Sequence, residues 1–509
     1  MGKSLYDRLR EYGTSDVYPF HMPGHKRRMG EIGPAALERP YEIDLTEIGW
    51  NDNLHHAEGI LKESMEMAAN VYGADRSYYL VNGSTCGILS AVSAAARSGR
   101  RILMARNCHK SAYHGVILNH LRAEYVYPQN LWEFGVYGGL LADDIAKLVD
   151  NRPDICAILL TSPTYEGIVS DIGKISVICH RRGIPLIVDE AHGAHFTFGD
   201  NFPKSAVECG ADLVIQSLHK TLPSLTQTAI LHVQGDMIDR EKLERYLKIY
   251  QTSSPSYVFL ASMENCIRYM DGPGRPGMER FGERVRTLTR ELEGLRTMKV
   301  LNDSVIGKNG VFDRDPSKIV ITAPGAGLWL AETLRERYHL ELEMANADYV
   351  LAMTSLMDDE DGFARLKQAL YEIDGERMES PGAGRPKDGG AAAGGGEIRG
   401  ALLRGEENSG AENSEAETGL WTKIRAEVVM PMWEAVEAET ELADIDSQAA
   451  VGRIAADFVM VYPPGIPLLA PGERVTEEIR DILRRYLAMG FSLDGLKGDS
   501  GRMMAVVKG

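Results

Sequence analysis

The sequence predicts an α/β protein whose core is a mostly parallel sheet buried on both faces, followed by a smaller α+β unit. Three apolar runs of strand length carry this expectation: ICAILLTSP from Ile155, IPLIVDEA from Ile184 and DLVIQSL from Asp212. None alternates with polar residues, and a helix-like stretch at Ile175–Arg182 separates the first two. Unalternated strands interleaved with helices are the mark of a parallel sheet covered on both sides. A length of 509 residues sets the scale at two to four domains.

In chain order, residues 1–50 are rich in Gly, Pro and His, show weak periodicity and read as an N-terminal arm or loop-rich entry segment. The large domain is expected over 51–270. It opens on an amphipathic helix, from Ile60 to a stopping glycine at Gly73. Val81–Gly87 then leads into the helical pattern GILSAVSAAA, and the short strand RILMA precedes Arg106. Residues 271–375 set helical patterns (ERVRTLTRELEGLR, LWLAETLRERYHL, FARLKQALYEI) around the strands KIVIT and DYVLAMT, as a small α+β domain does. Residues 376–418 are dense in Gly, Ala and Glu and read as a flexible linker, spanning roughly 35 Å as a coil. Such a linker predicts a loosely placed C-terminal domain at 419–509, which carries the Pro-Gly turn segment YPPGIPLLAPGE. No internal repeat is present.

Composition excludes several classes. With 56 Lys+Arg against 73 Asp+Glu, the net charge of −17 is wrong for a nucleic-acid surface. No run reaches the roughly 18–20 apolar residues of a membrane span, and the start MGKSLYDRLREYG lacks a signal peptide's apolar region. The six cysteines are scattered without a C-x-x-C pair, as suits free thiols in a reducing compartment. A cytoplasmic protein is expected.

Ligands of open parallel sheets bind beyond the carboxyl ends of the strands, so the chemistry is sought there. Lys220, in Ser217-Leu218-His219-Lys220-Thr221, follows the DLVIQ run. A desolvated lysine amine has a lowered pKa and attacks an aldehyde. Asp189 ends the preceding run, and a carboxylate there needs a cationic partner. The pyridinium of pyridoxal phosphate is such a partner; taken alone, a helix N-cap or metal ligand serves as well. Ser84 and Thr85, at a helix start, offer hydroxyls and free N–H groups to a phosphate, although alone they read as a plain N-cap. His109, after RILMA, is placed to stack on a flat ring. In this order the four elements describe a pyridoxal-phosphate site. The cluster Asp189–His195 also resembles metal-ligand spacing, but with Lys220 and the phosphate cup present, no metal is expected. His21 and His25 are denied the helix that paired metal-binding histidines need by Pro23 and Gly24.

The segments FHMPGHKR (Phe20–Arg27), DLTEI, YYLVNGSTCGILSA, RNCHKSAYHG, LTSPTYEGIVSDI, VDEAHGAHF, QSLHKT and YPPGIPLLAPGE resemble those of the bacterial Orn/Lys/Arg decarboxylases. The resemblance covers nearly the whole chain. It implies the fold-type I, aspartate aminotransferase-like fold with small and C-terminal α+β domains. It also implies pyridoxal 5'-phosphate, with Lys220 as covalent anchor, Asp189 as pyridinium partner and His109 on the ring. Ser84, Thr85, Ser217 and His219 would hold the phosphate, and His192 would lie near the phenolic oxygen or substrate carboxylate. The match begins at FHMPGHKR without a preceding wing domain, so the short form of the family is expected, and assembly through that wing is not.

The implied reaction is α-decarboxylation of a basic amino acid, arginine first, then lysine, then ornithine, giving the amine and CO2. The alternatives are another pyridoxal-phosphate reaction, such as transamination or elimination, or a non-catalytic regulatory homologue. An intact Lys220, Asp189 and Ser84–Thr85 set argues against the last. The substrate's distal cation needs a carboxylate, for which Asp44, Glu47, Asp52 and Glu343 are candidates. A homodimer or higher homo-oligomer is expected from the resemblance.

Overall fold

A computed structural model describes residues 4–28, 40–49, 51–97, 100–379, 424–462, 465–498 and 500–509. At its centre is a seven-stranded sheet. Its strands are β1 (Arg76–Leu80), β2 (Arg101–Ala105), β3 (Arg122–Val126), β4 (Ile155–Thr161), β5 (Leu186–Asp189), β6 (Leu213–Gln216) and β7 (Ala229–Val233). The spatial order is β1-β7-β6-β5-β4-β2-β3. From β6 across to β3 all neighbours are parallel, while β7 runs antiparallel to both β6 and β1. The three apolar runs are β4, β5 and β6, buried throughout save for Thr161 at the end of β4. Each buried Val, Leu or Ile there contributes about 1.5–3 kcal/mol over leaving it in water.

Both faces of the sheet are covered. Tyr78, Leu80 and Leu231 face one core, whereas their neighbours Tyr79 and Ile230 face the other. Among the described residues up to His180 the α-helices are α1 (Leu5–Gly13), α2 (Ile60–Tyr72), α3 (Gly83–Ala95), α4 (Lys110–Leu118), α5 (Ala142–Asn151) and α6 (Ile172–His180). Helix α2 ends at Gly73, whose φ of 69° is the left-handed conformation that glycine adopts freely. Helix α6 starts at Ile172, ahead of the expected Ile175, because the Asp171 side chain accepts from the Lys174 amide and caps it. Helix α3 begins at Gly83, so Ser84 and Thr85 lie within its first turn.

The region after the large sheet carries a four-stranded antiparallel sheet, with Lys318–Thr322 and Tyr349–Met353 at its centre. The N-terminal arm is attached there: Tyr18–Phe20 pairs in parallel with Leu340–Leu342. The helix Glu360–Glu379 runs four residues into the stretch read as linker, and 380–418 lies outside the described residues.

The C-terminal part corrects two expectations. The segment read as a turn contains the strand Ile466–Leu469, paired with Val459–Val461. Loose placement is also wrong. Leu468, Ile479 and Leu483 share a core with Val320, Tyr349 and Leu351, and Phe458 and Met460 pack into the core of the large sheet. A fully buried ion pair, Arg106 to Glu473 at 3.1 Å, joins the two regions.

Candidate active site

Strands β4, β5 and β6 end in register, with Thr161 opposite Asp189 and Asp189 opposite Ile215. The chain then turns through a single helical turn, Leu218–Thr221, which places Lys220 above this edge. The Lys220 Nζ lies 3.0 Å from His192 Nε2. Asp189 is buried, and its Oδ1 accepts from the Ala191 amide at 3.2 Å. Burial pushes the Lys220 ammonium below its ordinary range, with the Asp189 charge pulling the other way. Burial likewise pushes the Asp189 carboxyl up, and Lys220 opposes it. Burial, reinforced by Lys220, also drives His192 well below the usual histidine range, so its ring is neutral at pH 7. A protonated Lys220 therefore donates to Nε2, which leaves the proton on Nδ1. That buried atom has no partner among the described residues.

At the start of α3 the Ser84 hydroxyl is 2.6 Å from that of Ser217, which precedes the Lys220 turn. The α3 terminus has no side-chain cap, so its first amides are open to an anion. Thr85 is exposed on the same turn. His219 donates through Nδ1 to the Thr228 carbonyl at 2.9 Å, and burial pushes its pKa down to about 4. Holding a phosphate thus requires this ring to take up a proton at Nε2, which an adjacent dianion favours.

His109 caps α4, its Nδ1 accepting from the Ser111 amide at 3.2 Å. Burial, then the Lys220 charge, push it down to about 3, so it presents a neutral ring. The other side of that ring faces Gly465, where a Cβ would stand 3.3 Å from His109 Cδ2 and Nε2.

The remaining acids and histidines of Asp189–His195 are divided among different partners. Glu190 points away from Lys220 and accepts from Ser205 Oγ at 2.7 Å, the Ala206 amide at 2.7 Å and Gln216 Nε2 at 2.6 Å. His195 bonds Asp315 at 3.2 Å, and Asp315 in turn pairs with buried Lys318 at 3.0 Å. Among the described residues no three metal-binding side chains converge.

Several residues that sequence reasoning missed complete the site. The Tyr165 ring lies 4.5 Å from that of His192, and its hydroxyl donates to Glu343. Gly24 of the arm donates to the His219 carbonyl at 2.8 Å, and a Cβ on it would meet the Leu222 carbonyl oxygen at 2.7 Å. Only glycine fits under the lysine turn at that spacing. The signal was available in part: PTYEG and MPGHK stand among the segments that carry the family resemblance, but no periodicity assigns them contacts. Of the four acidic candidates, Glu343 reaches the site, its charge acting on Lys220. Asp52 instead accepts from the Gly59 and Leu61 amides at 2.8 and 3.0 Å, holding the start of α2. Asp44 is exposed, and Glu47 accepts from its neighbour Thr46.

Comparison with known proteins agrees with this architecture. Residues 3–329 match the model of the Orn/Lys/Arg decarboxylase major domain, and 422–494 match that of the Orn/Lys/Arg decarboxylase C-terminal domain. The arginine decarboxylase of Halalkalibacterium halodurans is 30% identical over 99% of this chain and 97% of its own. Lysine decarboxylase A from Pseudomonas aeruginosa superposes with a TM-score of 0.75 at 21% identity, over 99% of this chain and 80% of that one. A serine palmitoyltransferase with bound PLP gives 0.55 at 15% identity, over 72% and 89%. The chain belongs to the Orn/Lys/Arg decarboxylase family.

Proposed function

We propose that this protein removes the α-carboxylate of a basic amino acid, arginine before lysine before ornithine, using pyridoxal 5'-phosphate. The observation that carries the reading is the placement of a half-buried lysine, Lys220, against His192 and beside buried Asp189, at the carboxyl edge of the sheet of a family member. The residues present fit the cofactor. Asp189 is a buried carboxylate suited to a cation, His192 Nδ1 is a buried polar atom without a partner among the described residues, and two serine hydroxyls meet at an open helix terminus.

In this reading Lys220 Nζ is the covalent anchor, Asp189 holds the proton on the ring nitrogen, and His109 covers the ring. Ser84, Thr85, Ser217 and His219 hold the phosphate. When bound, pyridoxal phosphate supplies an electron sink conjugated to the substrate's α-carbon. The protein orients the carboxylate for departure and excludes water around it. Lys220 and His192 share a hydrogen bond and are the groups placed to return a proton to Cα. Glu343, held by Tyr165 and by the Met22 amide at 2.8 Å, is the carboxylate that would receive the distal cation.

Arginine stands first because a full-length relative at 30% identity is named for it. An amine product such as agmatine supports a role in a polyamine-forming step. The described cysteines are all free, which supports a cytoplasmic setting. Helix α1 has no buried residue and exposes Leu5, Tyr6 and Leu9, which supports a homodimer or larger assembly. The deciding experiment offers arginine, lysine and ornithine separately to the protein with pyridoxal phosphate, identifying the amine by mass and measuring CO2. Agmatine as main product is expected. Cofactor bound without CO2 from any of the three overturns the decarboxylase reading.

A further inference from the structure

The C-terminal region is more than an appendage, because a buried latch draws it onto the active site. Arg106 stands three residues before His109 and is 2% exposed. Its guanidinium donates to the Pro467 carbonyl at 2.7 Å, the Leu468 carbonyl at 3.2 Å and Glu473 Oε2 at 3.1 Å. Glu473, 1% exposed, also accepts from the Ala470 amide at 2.9 Å. The strand Ile466–Leu469 and the bend after it are thereby drawn onto the loop that carries His109. The result at the near end is direct. The Lys110 amide donates to the Gly465 carbonyl at 3.1 Å, and Gly465, at a φ of 79°, faces the His109 ring. Tyr462 lies beside the same contact, with the Lys110 ammonium 5.3 Å from its ring centre. On one side the ring is fixed by Ser111, and on the other by a segment more than 350 residues away in the chain.

We propose that Glu473 is a positioning residue for the cofactor: through Arg106 it seats Gly465 against His109 and so sets the plane in which that ring meets pyridoxal phosphate. The inference rests on the proposed cofactor reading. Its physical basis is that removing the carboxylate leaves Arg106 a buried charge without its counter-ion, and that the main-chain carbonyls it grips belong to the segment covering His109, whereas its remaining bond, to the Tyr113 hydroxyl at 2.9 Å, ties it to α4. The role of Glu473 is indirect, since two bonded links separate it from the ring.

The test uses the full chain in three forms, wild type, Glu473→Ala and Gly465→Ala, each with and without pyridoxal phosphate. Amide hydrogen exchange without cofactor reads the docking of 465–470 and of Lys110. Titration of pyridoxal phosphate, followed by the circular dichroism of its visible band, reads the ring's surroundings. In Glu473→Ala the exchange at these amides rises, cofactor affinity falls on the order of tenfold and the dichroic band changes. In Gly465→Ala the ring is pressed directly, so the band changes while exchange at 466–470 stays near wild type. Should Glu473→Ala fail to fold, Glu473→Gln takes its place, keeping the side chain's size while removing the charge that pairs with Arg106. Two results overturn the proposal: exchange that rises in Glu473→Ala with affinity and band unchanged, or a Gly465→Ala band identical to wild type. Failure of the underlying reading looks different, since wild type itself then gives no visible band with pyridoxal phosphate.

Discussion

At the scale of single residues, function depends on what burial does to a few charges. Lys220 and Asp189 are each pushed toward neutrality by burial and each held back by the other's charge. The amine is thus deprotonated more easily than an exposed lysine's, and that readiness is what an anchoring nucleophile needs. Lys220→Ala is expected to abolish both covalent retention of pyridoxal phosphate and CO2 release, measured by absorbance after gel filtration and by product assay. Glu343 differs in kind, because its partners Tyr165 and the Met22 amide hold it in place where its charge acts on Lys220. Glu343→Gln is expected to raise KM for the basic amino acid by about 10–100-fold, the worth of one hydrogen bond to a charged group. A smaller change in kcat accompanies it, and steady-state kinetics on the preferred substrate separate the two.

At the scale of elements, the ends of β5 and β6 are tied beneath the site by Glu190, which receives Ser205, Ala206 and Gln216 while Asp189 turns to the other face. Burial raises the Glu190 carboxyl to about 7. An acid whose folded pKa exceeds its unfolded one binds more protons in the folded state over the interval between them. Its contribution is therefore fully present below the unfolded value, near 4.5, and is lost as pH rises toward about 7. Glu190→Gln is expected to flatten this part of the stability profile, read as Tm against pH between about 5 and 7. An unchanged slope contradicts the assignment. These strands were also the most legible part of the sequence. The unalternated runs at Ile155, Ile184 and Asp212 announce burial on both faces, and the residues just past them are the ones that meet. By contrast, the antiparallel course of β7 left no trace, since AILHV is apolar enough for either direction. Asp52 was misleading for a similar reason: an acid before a helix serves its amides or a ligand equally well, and only the fold chooses.

At the scale of the whole molecule, the site is a meeting of distant segments. Gly24 supports the lysine turn, Ser84 and Ser217 face each other, Glu343 comes from the second sheet, and Gly465 closes on His109. Local patterns singled out residues of the large sheet that the fold brings together, but nothing in spacing or periodicity brings residues 24, 343 and 465 to one place, because such contacts depend on docking between regions. The exposed apolar side chains of α1, Leu5 and Leu9 at 74% and 62% exposure, lie four residues apart on one helix face. Sedimentation equilibrium is expected to give a mass of at least twice 56.1 kDa, and a strictly monomeric species contradicts the assembly proposed. The latch between Arg106 and Glu473 has a consequence for the protein's own manufacture. Chains are made from the N-terminus at roughly 5–20 residues per second. The large sheet is therefore complete well before Glu473 emerges, and for that interval Arg106 waits without its carboxylate. A ribosome-bound chain ending short of this position holds Lys220, Asp189 and both serines, yet the loop bearing His109 is still unclamped. With the latch positioning His109 as proposed, competence for the cofactor is expected only with the final tenth of the polypeptide.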